Sequence, residues 1–318
     1  MMNIYSLFDD IPFNQASIIT VGTFDGVHIG HQNIIAKMKE IAQSVNNSRT
    51  VIVTFHPHPQ LIVPRKDKPQ VSLLSTIDER IELIESYGID TVIIIPFSKE
   101  FASTSSTDFI KKYIVEKIGV HTMCIGYDHG FGNNREGSEE TLVSLSQECN
   151  FSLEIIPATV IQDRPISSTR IRKAIIEHQL HDSLELLGYP YFVSGIVLRG
   201  DERGRKLGIP TANIKSTDPH KLYPGNGVYF VSSEIDGTLY YGMANIGTRP
   251  TFTNDTESIL EVNYFGLHRD LYDKTITVWF LHFLREEKKF DSVDLFLSQL
   301  YEDRAFCEEL IEALQKCG

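Results

Sequence analysis

Between residues 17 and 157 the apolar residues come in short, nearly unbroken runs: 17–22 (SIITVG), 50–55 (TVIVTF), 91–97 (TVIIIPF), 122–128 (TMCIGYD) and 151–157 (FSLEIIP). Runs that are apolar almost throughout, rather than alternating, fit strands covered on both faces. Segments with helical spacing lie between them. Residues 75–88 (STIDERIELIESYG) place Ile77, Ile81 and Ile84 on one face, with Thr76 and Glu79 as a capping box and Gly88 as a stop. Residues 137–150 offer Ser138 as N-cap, glutamates in the first turn and Asn150 as terminator. Strand and helix in repeated alternation predict a parallel sheet with helices on both faces.

After residues 186–191 (LLGYPY) the pattern changes. Residues 191–198, 227–235, 238–246, 259–265 and 275–284 are strand-like, and glycine, proline and Asn-Asp turn signals separate them. A closed or nearly closed antiparallel barrel buries that many strands without leaving edges. From Asp291 onward, Val293, Phe296, Leu297 and Leu300 continue into Ala305, Leu310 and Leu314 at helical spacing, which predicts a C-terminal helix. The boundary is expected near Gly188–Pro190, giving domains 1–187 and 188–318.

Length and charge narrow the function. A chain of 318 residues is long for one core and comfortable for two. A net charge of -12 argues against a general grip on nucleic acid, while small anions remain open to backbone amides and local cations. Cys124, Cys149, Cys307 and Cys317 have neither disulfide-framework nor zinc-ligand spacing, as expected of thiols in a reducing compartment. No basic segment followed by an apolar one opens the chain, and no apolar run reaches membrane-spanning length. The expected location is the cytoplasm, with no membrane partner; the oligomeric state is not legible.

Candidate chemistry gathers after the strands. In an open parallel sheet, ligands bind beyond the carboxyl ends of strands. Residues 22–31 (GTFDGVHIGH) follow the first run: Gly22 and Gly26 permit close backbone approach, the helix start presents amides to an anion, and His28 and His31 can donate to phosphate oxygens. Alone, the pair is equally a couple of surface histidines at a helix start. Polar, glycine- or proline-marked segments at 54–59 (TFHPHP), 126–137 (GYDHGFGNNREG) and 166–175 (ISSTRIRKAI) add weight.

Residues 22–31 with 167–172 (SSTRIR) resemble the H-x-G-H and S-x-T-x-x-R signatures of nucleotidyltransferases. With 126–132 (GYDHGFG) added, the chain is similar to the prokaryotic bifunctional riboflavin kinase/FMN adenylyltransferase (FAD synthetase) family. That resemblance implies a nucleotidyltransferase-like (Rossmann-like) first domain that transfers AMP from ATP to FMN and releases pyrophosphate. It places Gly22, Phe24, Asp25, Gly26, His28 and His31 at the nucleotide, Ser168, Thr169 and Arg172 across the triphosphate, and Asp128 near the flavin. The barrel half resembles the riboflavin kinase module through the P-T-A-N of 208–213 (GIPTAN). Thr211 and Asn213 would then position Mg²⁺ and ATP, Gly204 and Arg205 would cover the phosphates, and Glu261 would be the catalytic base. Without that context, Glu261 reads as a solvent-facing strand residue. His129, Asn263 and His56 depart from the residues common in the family.

The chemistry agrees with this inventory. A phosphate monoester is already largely dianionic at neutral pH, its second pKa being about 6, so an FMN acceptor needs no base. A primary alcohol such as that of riboflavin does need one. Two rivals stand: a nucleotidyltransferase for another phosphorylated metabolite, and a noncatalytic flavin- or RNA-binding protein.

Overall fold

The structure is a computed structural model that describes residues 2–6, 10–64, 69–127, 139–199, 209–250 and 256–317. The chain divides into two compact units, Met1–Ser168 and Thr169–Gly318. The sequence reading puts the boundary after residue 187; by packing, the segment from 169 to 187 goes with the second unit.

The first unit is built on a six-stranded parallel sheet: β1 (Asn3–Tyr5), β2 (Ser17–Val21), β3 (Arg49–His56), β4 (Thr91–Pro96), β5 (Thr122–Gly126) and β6 (Ser152–Ile156). Five of these are the apolar runs read from sequence. The sixth, β1, is a short edge strand without a long apolar run to announce it, and it pairs with β4. The strand order is β1-β4-β3-β2-β5-β6. Chain progress therefore reverses direction between β2 and β5, the kind of switch point at which α/β sheets open a crevice. Every residue of β2 is buried, as a central strand with helices on both faces requires.

The helices of this unit are α1 (Ile29–Ser44), the short α2 (Pro59–Ile62), α3 (Ile77–Ser86), the short α4 (Lys99–Ala102), α5 (Ser106–Asp108), which runs on as a π-helix over Phe109–Ile118, and α6 (Glu139–Cys149). The Thr76–Glu79 capping box forms in both directions. The face that α3 buries is not the isoleucine stripe. Ile84 is buried, but its companions are Leu83, Glu79 and Arg80, while Ile77 and Ile81 are half-buried. Polar partners inside the unit turn the helix this way, as the site geometry makes plain. Ser138, the expected N-cap of α6, lies outside the described residues; Asn150 after it takes φ 55°, in keeping with a terminator.

The second unit begins with α7 (Ser168–Ile176), whose first residue closes the first unit, and α8 (Leu180–Leu187). A closed antiparallel barrel follows, from β9 (Phe192–Leu198), β10 (Ala212–Lys215), β11 (Gly227–Ile235), β12 (Thr238–Pro250), β13 (Thr256–Tyr264) and β14 (Thr275–Arg285), in the order β10-β13-β12-β11-β14-β9. Strand β10 is not among the five runs read from sequence. It is four residues long and begins inside the TAN of residues 211–213. The C-terminal helix, Val293–Cys317, is fastened to β14 by Arg285 and Asp303: Nη2 lies 2.8 Å from Oδ2, and both side chains are largely buried.

Candidate functional sites

At the switch point, the chain leaves β2 through a tight turn into α1. Phe24, Gly26 and Val27 all have positive φ, 49°, 77° and 32°. For a β-branched residue such as Val27 this conformation is costly and must be held from outside. The holding comes from the entry to α3. The Gly26 amide donates to Ser75 Oγ (2.9 Å), and the Ser75 amide donates to Asp25 Oδ1 (3.0 Å), all buried. Thr54 Oγ1, at the end of β3, donates to the Thr23 carbonyl (3.1 Å) and accepts from Arg80 Nη1 (3.2 Å).

This turn delivers the two histidines as a stacked pair. His28 is the N-cap of α1, and its Nδ1 accepts from the His31 amide (3.4 Å), which leaves its ring N–H on Nε2. The rings stack with centroids 3.7 Å apart, and Phe24 packs against His31 at 4.7 Å. Gly30 is what makes room, since a Cβ there would sit 3.2 Å from the His28 ring. Burial, then the adjoining His28, then the Arg80 guanidinium hold His31 well below the ordinary imidazole range, so it is neutral at pH 7. Among the described residues, His31 Nδ1 is buried with no hydrogen-bond partner.

The other sequence-selected residues of this half fall as follows. Phe24 and Asp25 turn their side chains into the protein, so they shape the turn, and what it can offer a ligand is backbone amide and imidazole. Gly22 lies against the Phe24 ring. Ser168 Oγ donates to the Asp25 carbonyl (3.4 Å), next to the same turn. Thr169 and Arg172 follow on α7, Thr169 exposed and Arg172 half-buried beside the buried Ile171, Ala174 and Ile175. Asp128 and His129 lie outside the described residues. His58 caps α2, its Nδ1 accepting from the Gln60 amide at 3.1 Å. Sequence reading missed Ser75 and Arg80, and also a half-buried aromatic group formed by Phe55 near the end of β3, Phe97 just after β4 and Phe101 in α4.

In the barrel, register does the assembling. Strand β10 pairs β13 with Asn213 opposite Glu261, and β13 pairs β12 with Glu261 opposite Asn245. Their neighbours Ala212, Ile214, Leu260, Val262, Ala244 and Ile246 are buried in the barrel, so the three polar residues stand in a row on its outer face. Asn245 Nδ2 donates to Glu287 Oε1 (3.0 Å). Asn263 Nδ2 donates to the Pro210 carbonyl (2.8 Å), tying β13 to the segment that carries Thr211.

Thr211 and Asn213 line a cleft of about 390 Å³, whose far wall is the connection from β13 to β14 with His268, Arg269 and Tyr272. Its floor includes Tyr264, whose hydroxyl pairs with Ser233 Oγ at 2.7 Å and whose pKa burial raises. Arg269 is anchored at one end by Asp236 (2.9 Å). That wall was not singled out from sequence; the one signal for it is a strand connection longer than a tight hairpin. Thr211 and Asn213 are hard oxygen donors, and among the described residues no group of three His, Cys, Asp or Glu gathers to hold a metal. Such a set suits Mg²⁺ carried largely by substrate phosphates rather than by a protein cage. Gly204 and Arg205 lie outside the described residues.

Residues 10–170 match the FAD synthetase family model and residues 187–311 the riboflavin kinase model. The chain belongs to the bifunctional riboflavin kinase/FMN adenylyltransferase family. A member from Listeria monocytogenes is 35% identical over 92% of this chain and 93% of its own, and one from Bacillus subtilis is 33% identical over 91% and 90%. A solved structure described as a macrolide-efflux protein from Streptococcus pneumoniae has TM-score 0.86 and 30% identity, covering 96% of this chain and 98% of its own. Among the described residues, no helix is long and apolar enough to cross a membrane. The order of modules in the family, FAD synthetase then riboflavin kinase, is the order of sheet and barrel here.

Proposed function

We propose that the barrel unit transfers the γ-phosphoryl group of Mg-ATP to the primary alcohol of riboflavin, and that the sheet unit transfers AMP from a second ATP to the resulting FMN, releasing pyrophosphate. The observation that carries this reading is the pairing of Asn213 with Glu261 across β10 and β13. It sets a carboxylate beside a cleft-lining oxygen donor in one unit, whereas the turn in the other unit offers imidazoles and amides and turns its own carboxylate inward.

The first reaction needs a base because an alcohol is a poor nucleophile until its proton is taken. Glu261 accepts that proton, Thr211 and Asn213 hold Mg²⁺ with the phosphates, and the cleft takes the nucleotide. Mg²⁺, when bound, neutralises charge on the phosphates. Gly204 and Arg205 are assigned to the phosphates on their motif. In the second reaction the FMN phosphate attacks the α-phosphorus and the bond to the β-phosphate breaks. Positioning and charge stabilisation then dominate. His28 and His31 donate to the departing pyrophosphate. Ser168, Thr169 and Arg172 are assigned to the triphosphate on their motif, Asp128 to the flavin on its own. The Phe55, Phe97 and Phe101 rings suit a flat apolar ring system. Free Cys124, Cys149 and Cys307 support a cytoplasmic location.

The two assignments are tested together by resolving products from riboflavin, ATP and Mg²⁺. Glu261→Ala stops FMN formation while FAD still forms from supplied FMN; His28→Ala with His31→Ala does the reverse. Loss of both products in either variant, with the fold intact, refutes the division of labour.

A further inference from the structure

The sheet unit holds a charged side chain for which the proposed reaction has so far no use. Arg80 is 1% exposed and is the largest fully buried side chain among the described residues. A guanidinium is strongly disfavoured inside a protein unless its surroundings satisfy it. Leucine or methionine would continue the apolar face of α3 at lower cost, yet Arg80 is buried while Ile77 and Ile81 are only half-buried.

Its contacts point to one place. Nη1 donates to Thr54 Oγ1 and to the Phe55 carbonyl, each at 3.2 Å, at the carboxyl end of β3. Thr54 Oγ1 passes the connection on to the Thr23 carbonyl at 3.1 Å. The α3 entry reaches the same turn a second way, through Ser75 to Gly26 and Asp25. One helix thus grips a turn with positive φ at Phe24, Gly26 and Val27 on both sides. The charge of Arg80 also bears on His31, as a cause of its lowered pKa after burial and His28.

We infer that Arg80 is a positioning residue for adenylyl transfer: through Thr54 and Phe55 it fixes the Gly22–His31 turn, so that both imidazoles meet the triphosphate in one geometry. Its buried cation also adds a fixed positive potential behind the histidines, where negative charge accumulates as pyrophosphate leaves. Arg80 touches no substrate in this scheme and acts through the turn. The inference rests on the reading that His28 and His31 hold the triphosphate.

Among the described residues, the titratable and charged groups that bear on His31 are His28, from the start of α1, and Arg80, from α3. Removing the guanidinium charge makes His31 easier to protonate. Any limb of the pH profile that belongs to His31 therefore moves to higher pH.

The test uses the full chain as Arg80→Gln, Arg80→Lys and Thr54→Val, beside His28→Ala with His31→Ala. Initial rates of FAD formation from FMN and Mg-ATP are measured against ATP concentration and pH, with FMN formation from riboflavin as the parallel readout. Arg80→Gln is expected to lower kcat for FAD about 10- to 100-fold, the scale of a small misplacement of catalytic groups. It should shift the pH profile upward and leave FMN formation unchanged. Arg80→Lys keeps the charge and loses the fork, so its kcat falls less and its pH profile stays in place. Thr54→Val lowers kcat without moving the profile.

Parent kcat and parent pH profile in Arg80→Gln overturn the inference. Should that variant fail to fold, parent kcat in both Arg80→Lys and Thr54→Val overturns it equally. If the double-histidine variant still makes FAD at the parent rate, it is the phosphate role of the histidines that fails. If that variant is inactive and the Arg80 and Thr54 variants are not, only the role of Arg80 fails.

Discussion

Ser75→Ala removes one hydroxyl from the clamp on the histidine turn and very little volume. The effect divides into parts of different size. The Ser75 hydroxyl lies 3.5 Å from Asp25 Oδ1, too long to contribute much, and the Ser75 amide keeps its own bond to that oxygen at 3.0 Å. The Gly26 amide, by contrast, loses its acceptor at 2.9 Å in a buried setting, which costs about 1–3 kcal/mol. Holding a non-glycine residue at positive φ costs about the same, of order 1–3 kcal/mol, and Phe24 and Val27 are both held so. The loss is therefore large enough to let the turn relax, and too small to unfold a unit of this size. In urea titrations the sheet unit should lose about 1–3 kcal/mol. The specific rate of FAD formation from FMN should fall about tenfold or more, while FMN formation from riboflavin holds. Ser75→Thr, which restores the hydroxyl, should recover most of the rate. A Ser75→Ala protein that makes FAD at the parent rate, whatever its stability, would refute the claim that this clamp sets the catalytic geometry.

Other perturbations probe separate links. Gly30→Ala should gain helix propensity of about 0.8–1 kcal/mol yet slow FAD formation, because the new Cβ lies 3.2 Å from the His28 ring; unchanged rates at raised Tm would show that ring spacing is irrelevant. Asn213→Ala should raise KM for Mg-ATP in FMN formation about tenfold and spare FAD formation; a change confined to the KM for riboflavin would place Asn213 elsewhere. Asp303→Ala leaves the largely buried Arg285 guanidinium without its carboxylate, so urea unfolding of the barrel unit should shift by about 3–5 kcal/mol; a shift no larger than that of a surface pair would mean that water reaches Arg285.

How much could be read beforehand is clear from particular elements. Strands β2 to β5 were legible because burial on both faces leaves a nearly unbroken apolar run, the edge strand β6 because Leu153, Ile155 and Ile156 still form a short apolar run although none of its residues is fully buried, and the α3 capping box because its spacing is local. Strand β1 was not, being three residues with mixed exposure. Nor was β10, where four residues give no period to count. The helix α3 shows the limit best. Its isoleucines predict one buried face, and the hydrogen bonds that Arg80 finds at β3 select another.

The amino-acid order alone determined two units of different grammar, the positions of the histidine turn and of Glu261, and the family resemblance, since each of these is a local pattern of residue types. Only the folded chain decided that β2 lies at the point where the sheet reverses, that Ser75 bonds a turn some fifty residues earlier in sequence, and that Asn213 stands opposite Glu261. Strand order, register and barrel closure are settled by contacts between distant segments competing for the same core. Such competition leaves no mark on any short stretch of sequence.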